Sequence, residues 1–202
     1  MAHSFGGKWT QEKLDKVGHY LQTYSTALKN QRFKLIYVDA FAGTGYVNLQ
    51  DKDENQQFLP EFEEIEVKEF VSGSAKNALE VNPPFDEYIF IEKNEGRFSE
   101  LANLKNDYPD IANRISPVSA DANEYLQNFC GGDWRYKRAI VFLDPYGMQV
   151  KWETIQAIAK TQAIDLWILF PLGVAVNRLL KKDGNISESI KKTDISHDNF
   201  RN

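Results

Sequence analysis

The stretch Lys34-Leu-Ile-Tyr-Val-Asp39-Ala-Phe-Ala-Gly43-Thr-Gly45 decides the fold. A short run of β-branched and aromatic residues reads as a buried strand. It ends at an acid, and two glycines follow where the backbone can turn and approach a ligand closely. The same design recurs downstream. Tyr88-Ile-Phe-Ile-Glu92 is a strand, followed by a helix through Phe98, Leu101 and Leu104 that stops before Pro109. Ile115 to Asp121 is a weaker strand, and Pro117 within it points to a sheet edge. Tyr125, Leu126 and Phe129 mark a short helix. Ala139-Ile-Val-Phe-Leu-Asp144 is the cleanest strand, and Trp152, Ile155, Ile158 and Ala159 give the next helix. Leu166-Trp-Ile-Leu-Phe170 closes the series. Upstream, Leu14, Val17, Leu21, Tyr24 and Leu28 form one apolar stripe of a first helix, with Thr10 as its expected N-cap. Strands alternating with helices predict a parallel sheet covered on both faces. Right-handed crossovers make it a Rossmann-like, doubly wound α/β sheet of about five strands, order 3-2-1-4-5.

The chain has 202 residues, enough for one substantial domain, expected over 1–182. A last helix is expected from Val174 to Leu180, and a loose polar tail over 183–202. The net charge of −5 is unevenly spread. Asp51 to Glu69 holds eight acids against Lys52 and Lys68, so an acidic insertion at 51–72 is laid over a nearly neutral domain. The pI near 5.3 excludes a histone-like protein. The near-neutral remainder leaves a nucleic-acid substrate open. Cys130 is the single cysteine, so neither an internal disulfide nor a zinc cluster is available, which fits the cytoplasm. Met-Ala-His-Ser-Phe-Gly-Gly carries no apolar signal core. The apolar run Ile164 to Leu180 is broken by Asp165, Pro171, Asn177 and Arg178, so no membrane span is expected. His3, His19 and His197 lack ligand spacing, and no metal site is expected.

The chemistry concentrates at strand ends. Asp39, Glu92, Asp121 and Asp144 each close a strand, and the carboxyl ends of parallel strands form the ligand crevice. One such acid is ordinary turn or N-cap chemistry; four in register shape a site. A dinucleotide fingerprint would need Gly or Ala at position 48, where Asn48 stands. Asp39-Ala40-Phe41 with Gly43 and Gly45 suits a ligand that has an ammonium group and a ribose but no pyrophosphate. S-adenosylmethionine is such a ligand. Asp39 would pair with its ammonium, Glu92 would accept both ribose hydroxyls, and Asp121 would accept from the adenine amino group. Asp144-Pro145-Tyr146-Gly147 is either a turn or an acceptor site. In the second reading the Asp144 carboxylate and the Pro145 carbonyl accept from one planar amine, and Tyr146 stacks on the base or faces the sulfonium. Arg135, Lys137, Arg138, Arg178, Lys181 and Lys182 are either ordinary surface or a phosphate-contacting rim.

Several of these segments together resemble the three-Cys-motif partner (TcmP) family. They are His3-Ser-Phe-Gly-Gly-Lys-Trp9-Thr10, Lys13-Leu14, Tyr20-Leu21, Tyr37-Val-Asp39-Ala-Phe-Ala-Gly43-Thr-Gly45, Gly73-Ser74, Tyr88-Ile-Phe-Ile-Glu92 and Phe142-Leu-Asp144-Pro-Tyr-Gly147. The resemblance implies a class I, S-adenosylmethionine-dependent methyltransferase-like protein and a protein partner carrying three cysteines. Asp-Pro-aromatic-Gly is also similar to a motif of tRNA guanine-N2 dimethyltransferases, which implies an exocyclic amine of DNA or RNA as acceptor. Two strands that normally end such a sheet as a β-hairpin are not found after Phe170, so the hairpin is expected to be missing. Two alternatives stand beside this reading: a non-catalytic module of the same fold that docks the three-Cys partner, and a nicotinamide-dependent oxidoreductase, which Asn48 disfavours.

Overall fold

Odd and even positions of the strands carry different chemistry. Leu35, Tyr37, Tyr88, Phe90, Ile140 and Phe142 point to one side of the sheet, and Ile36, Val38, Ile89, Ile91, Val141 and Leu143 to the other. The structure, a computed structural model, describes residues 7–42, 74–144 and 149–169. In chain order these form α1 (Gly7–Leu28), β1 (Lys34–Asp39), α2 (74–79), β2 (Glu87–Glu92), α3 (Glu95–Asp107) and a 3-10 segment (Pro109–Arg114). Then follow β3 (Ile115–Ser119), α4 (Ala122–Cys130), β4 (Lys137–Leu143), α5 (Trp152–Thr161) and β5 (Ile164–Ile168). All strand pairs are parallel, and the order is β3-β2-β1-β4-β5. This is the expected Rossmann-like α/β sheet.

The two faces differ in what covers them. α1, α2 and α3 bury Leu14, Val17, Leu21, Ala78, Leu79 and Leu101 on the aromatic side, which also takes Phe85. Tyr37 packs there within 6.4 Å of Phe85, Tyr88 and Phe90, ring centroid to ring centroid. α4 and α5 set Ala122, Leu126 and Ile158 on the aliphatic side. One crossover direction on each side of β1 places the helices this way. α1 and α2 approach closely at Gly18, where an added Cβ would stand 3.3 Å from the Asn77 amide nitrogen. Asn77 Nδ2 donates to the Leu14 carbonyl at 2.8 Å, so a side chain at 18 would push on the contact that fixes α2.

Several element boundaries differ from expectation, and β4 begins at Lys137, two residues before the expected Ala139, and ends at Leu143. α1 starts at Gly7, so Thr10 lies in its first turn and is not the N-cap; no Pro or other breaker separates Gly7 from Thr10. β3 ends at Ser119, and Asp121 is the N-cap of α4. β5 runs from Ile164 to Ile168, two residues earlier than read. Gln162 ends α5 in the left-handed region (φ 51°), and the Ala163 carbonyl already accepts from Ala139 N at 3.0 Å. A glutamine does the work usually given to glycine, so no stop signal was visible. Pro117 does sit on an edge strand, since β3 pairs only with β2 among the described residues. The acidic stretch 51–72, the helix 174–180, the tail 183–202 and the hairpin question lie outside the described residues.

The aromatic layer carries a stability prediction. Phe90 is fully buried on a central strand, and Phe90→Ala is expected to cost about 3–5 kcal/mol in urea unfolding. Ile168, 40% exposed on the edge, should lose less than about 1 kcal/mol when changed to Ala. Equal losses would contradict the layering.

Candidate functional site

β1 and β4 lie side by side, yet the chain leaves β1 toward β2 and reaches β4 only after β3. In a parallel sheet of this order, the carboxyl ends of such a strand pair are where the connections part and a ligand crevice forms. Asp39, the last residue of β1, is level with Phe90 on β2 and Phe142 on β4. Glu92 and Asp144 each lie two residues further along those flanking strands, about 6–7 Å at the usual rise. Glu92 shares the pleat of Phe90, on the aromatic side. Just past Asp39 the backbone is tied to both neighbours. Ala40 N donates to the Phe142 carbonyl at 3.0 Å, and Ala42 N to the Ile91 carbonyl at 3.1 Å.

Asp39 is 1% exposed, and among the described residues no Lys or Arg forms an ion pair with it. Its Oδ1 accepts from Phe41 N at 3.3 Å, and its Oδ2 from the Ser74 hydroxyl at 3.5 Å. Burial, then the neighbouring Asp144 and more weakly Glu92, push its carboxyl up to about 7, against the partial relief of those two long hydrogen bonds. Ser74 is itself fully buried and stands in the first described turn of α2. The Gly18–Asn77 contact thus holds α2 where Ser74 can reach Asp39.

The other expected residues are placed as follows. Glu92 is half-buried, and its Oε1 accepts from Asn94 N at 2.6 Å. Asp121 caps α4: Oδ1 accepts from Asn123 N at 3.0 Å and Glu124 N at 3.2 Å, while Oδ2 faces Lys93 Nζ at 3.7 Å. The Glu124 N–H first, then that of Asn123 and the charges of Lys93 and Lys151, hold its carboxyl below the usual range. Asp121 is therefore a working N-cap, with Oδ2 turned to the rim. Ala40 is buried, and Phe41 packs against the aliphatic layer. Asp144 sits just beyond β4 and acts electrostatically on Asp39. The structure thus brings Asp39, Glu92 and Asp144 to one end of the sheet, with Asp121 on the adjoining helix. Gly43, Gly45, Pro145, Tyr146 and Gly147 lie outside the described residues.

Two features escaped the sequence. Ser74 belongs to a quoted segment, but nothing in its spacing tied it to Asp39, which is distant in the chain. Asn123 is the second. It is 7% exposed, its Nδ2 donates to the Gln149 carbonyl at 2.9 Å, and its Oδ1 accepts from Lys151 N at 2.8 Å and Thr154 Oγ1 at 2.9 Å. Gln127 Nε2 adds a bond to Thr154 Oγ1 at 3.1 Å. One buried amide therefore joins the start of α4 to the start of α5, next to the strand-end acids. An isolated polar residue at a helix start gives no signal of such a role.

The basic residues are open to two readings, ordinary surface or a phosphate-contacting rim, and of them Arg178, Lys181 and Lys182 lie outside the described residues. Lys137 and Arg138 begin β4, and Arg135 lies just before it, so these cations stand at the opposite end of the sheet from Asp144. Seven strand residues separate the ends by about 20 Å, too far to make a rim of the crevice. Arg135 pairs with Asp133 at 2.7 Å, and Arg138 stacks 4.0 Å from the Phe33 ring centre while donating to the Trp134 and Lys137 carbonyls. They border an open pocket of about 510 Å³ beside the ends of α4 and α5, where basic groups complement helix C-termini. Cys130 also lines it, with its thiol pushed up to about 11 by burial, as suits a packing residue. Among the described residues no group of three or more His, Cys, Asp or Glu could hold a metal ion, and no helix is long and apolar enough to cross a membrane.

The buried acid makes stability depend on pH. Its pKa is higher folded than unfolded, so its contribution is most favourable below the unfolded value and is lost as pH rises through about 7. Asp39→Asn removes that loss. The variant should gain on wild type between about pH 4 and pH 7 and exceed it by roughly 2–4 kcal/mol near pH 8. Urea unfolding at several pH values measures this; a difference that does not change with pH would contradict the buried, unpaired state of Asp39.

No protein-family model matches the sequence, and no curated protein matches it. Among solved structures, protein LPL1258 from Legionella pneumophila, described under the family model DUF519, is similar with 17% identity and a TM-score of 0.47. That similarity covers 77% of this chain and 67% of the other. The Escherichia coli protein described as "Putative methyltransferase yhhF" is similar with 17% identity and a TM-score of 0.34, over 77% of this chain and 62% of its own. The Rossmann-like assignment rests on this chain's own strand order, parallel pairing and two-sided helix cover.

Proposed function

We propose that this chain is an S-adenosylmethionine-dependent methyltransferase that modifies an exocyclic amine of a nucleic acid. The observation that carries the reading is Asp39: a carboxylate buried at the switch point, destabilised by two further acids and left without a cation among the described residues. A strongly perturbed acid of this kind at the carboxyl end of a parallel sheet is a functional-site candidate. A ligand ammonium entering there supplies the missing positive charge and returns Asp39 to its ionised form. The donor set fits the rest of the molecule. Glu92, half-exposed on the next strand, has acceptor capacity for two vicinal hydroxyls. Asp121 Oδ2 faces the rim, where an amino group can compete with Lys93.

When bound, the cofactor supplies an electrophilic methyl group on sulfur. The chain's own part is orientation and electrostatics. Asp144 accepts a hydrogen bond from the acceptor amine, which withdraws the nitrogen lone pair from ring conjugation and leaves it free to attack. Pro145 and Tyr146 belong to the same proposal, as second acceptor and stacking ring. The three-Cys-motif protein implied by the resemblance is carried as the protein partner, to be sought by co-purification.

Calorimetry with S-adenosylhomocysteine tests the reading. Glu92→Ala should weaken binding about tenfold or more, the loss of charged hydrogen bonds. Asp39→Asn should weaken S-adenosylmethionine binding at least as much, through the lost ammonium pairing. Asp144→Ala should keep affinity within about threefold while removing methyl transfer to nucleic acid. No binding by folded wild type overturns the proposal, and binding without transfer to any nucleic acid favours the docking module.

A further inference from the structure

We infer that the crevice rim formed by Lys93, Lys151 and Trp152 is a contact surface for a single strand of nucleic acid. This rests on the proposed function and names where its substrate is held. Trp152 is the first residue of α5, on the crevice side of the sheet, and it is 65% exposed. The described Trp134 and Trp167, by contrast, pack against the two core layers. An indole left in water gains nothing for the fold, whereas its flat face is the surface on which a base of any sequence can stack.

The charges beside it point to the same partner. Lys93 is 77% exposed, and Lys151 is exposed immediately before Trp152; both charges are felt at Asp121. The acids of this rim are already answered. Glu95, Glu124 and Glu153 each stand in the first turn of α3, α4 and α5, where the helix N-terminus offsets a negative charge. Lys151 has no ion-pair partner among the described residues, and Lys93 is shared with Asp121 Oδ2 at 3.7 Å, so a phosphate on the rim meets Lys151 directly and competes with Asp121 for Lys93. Inside the crevice the order is reversed: Asp39, Glu92 and Asp144 repel phosphate. A phosphate chain is favoured on the rim and disfavoured within.

The rim is also held in place. Asn123 Oδ1 accepts from Lys151 N and from Thr154 Oγ1, and its Nδ2 holds the Gln149 carbonyl. The backbone that carries Lys151 and Trp152 is thus fixed to the start of α4, two residues from Asp121. Fixing an aromatic platform before the ligand arrives lowers the ordering cost of binding.

Fluorescence anisotropy of a short, labelled single-stranded RNA and of the matching DNA, with the full chain at low salt, tests this. Wild type should bind, and Trp152→Ala should weaken binding about tenfold or more, whereas Trp152→Phe should stay within about threefold. The double change Lys93→Gln, Lys151→Gln should lower the slope of log affinity against log salt by roughly 1.4. Both Trp152 variants should keep the wild-type affinity for S-adenosylhomocysteine. Wild type that binds neither strand, or Trp152→Ala that binds like wild type, overturns the inference. So does a Trp152→Ala loss confined to a three-Cys-motif protein, which would give the rim to a protein partner. Strand binding without S-adenosylhomocysteine binding would instead overturn the cofactor reading and leave the rim standing.

Discussion

The site depends on one unfavourable fact: the Asp39 carboxyl is shut away from water with no cation among the described residues to answer it. Two long hydrogen bonds, from Phe41 N–H and the Ser74 hydroxyl, offset only part of the cost. The carboxyl is consequently poised near neutrality. Asp144 and Glu92 sharpen this. Each raises the cost of the Asp39 charge; Glu92 is held in β2 by its pairing with β3, and Asp144 follows directly on β4.

That cost is tolerable because the sheet beneath is over-determined. Tyr37, Phe85, Tyr88, Phe90 and Phe142 fill the space under α1, α2 and α3 with large, flat, fully buried rings. The aliphatic side is built from smaller branched residues under α4 and α5. A one-residue register slip on either neighbour of β1 would exchange rings for branched chains and break both layers. The same pairing that protects the core keeps Glu92 and Asp144 on either side of Asp39. Packing and site geometry are therefore set by one register.

How much of this could be read from the chain follows from the range of each signal. Apolar strands ending in acids are local, and they foretold the sheet order and the ends where Asp39, Glu92 and Asp144 stand. Pro117 foretold an edge for the same reason: a missing N–H is a property of one residue. Asp121 showed the limit of such reading, because an acid after a strand and an N-cap before a helix look alike until the backbone of 122–124 is seen to donate to it. Gln162 hid the end of α5 by adopting a backbone conformation that its side chain does not announce. Ser74, Asn123 and the placement of Arg135, Lys137 and Arg138 are non-local. They depend on which chain segments meet, and a sequence expresses that only through the fold. The cations illustrate this most plainly: near Asp144 in number, they lie at the other end of the strand.

The distribution of charge around the crevice has a consequence for selectivity. Asp39, Glu92 and Asp144 occupy the interior, and Lys93, Lys151 and Trp152 share the rim with Asp121 and the first-turn glutamates. Under the proposed function, a mononucleotide is a poor substrate for such a site, because its phosphate must lie close to the base that enters. A polymer meets the arrangement better. Its phosphates remain on the rim while one uncharged base passes inward, and the energy of rim contacts, made away from the reacting atoms, serves to hold that base in place. Duplex DNA or RNA would first have to release the base from its stack, at a cost of a few kcal/mol, whereas a single strand or loop has already done so. Under the proposed function, the acidic interior and a rim that carries Trp152, Lys93 and Lys151 favour the same substrate geometry: an unstacked base carried on a chain of phosphates.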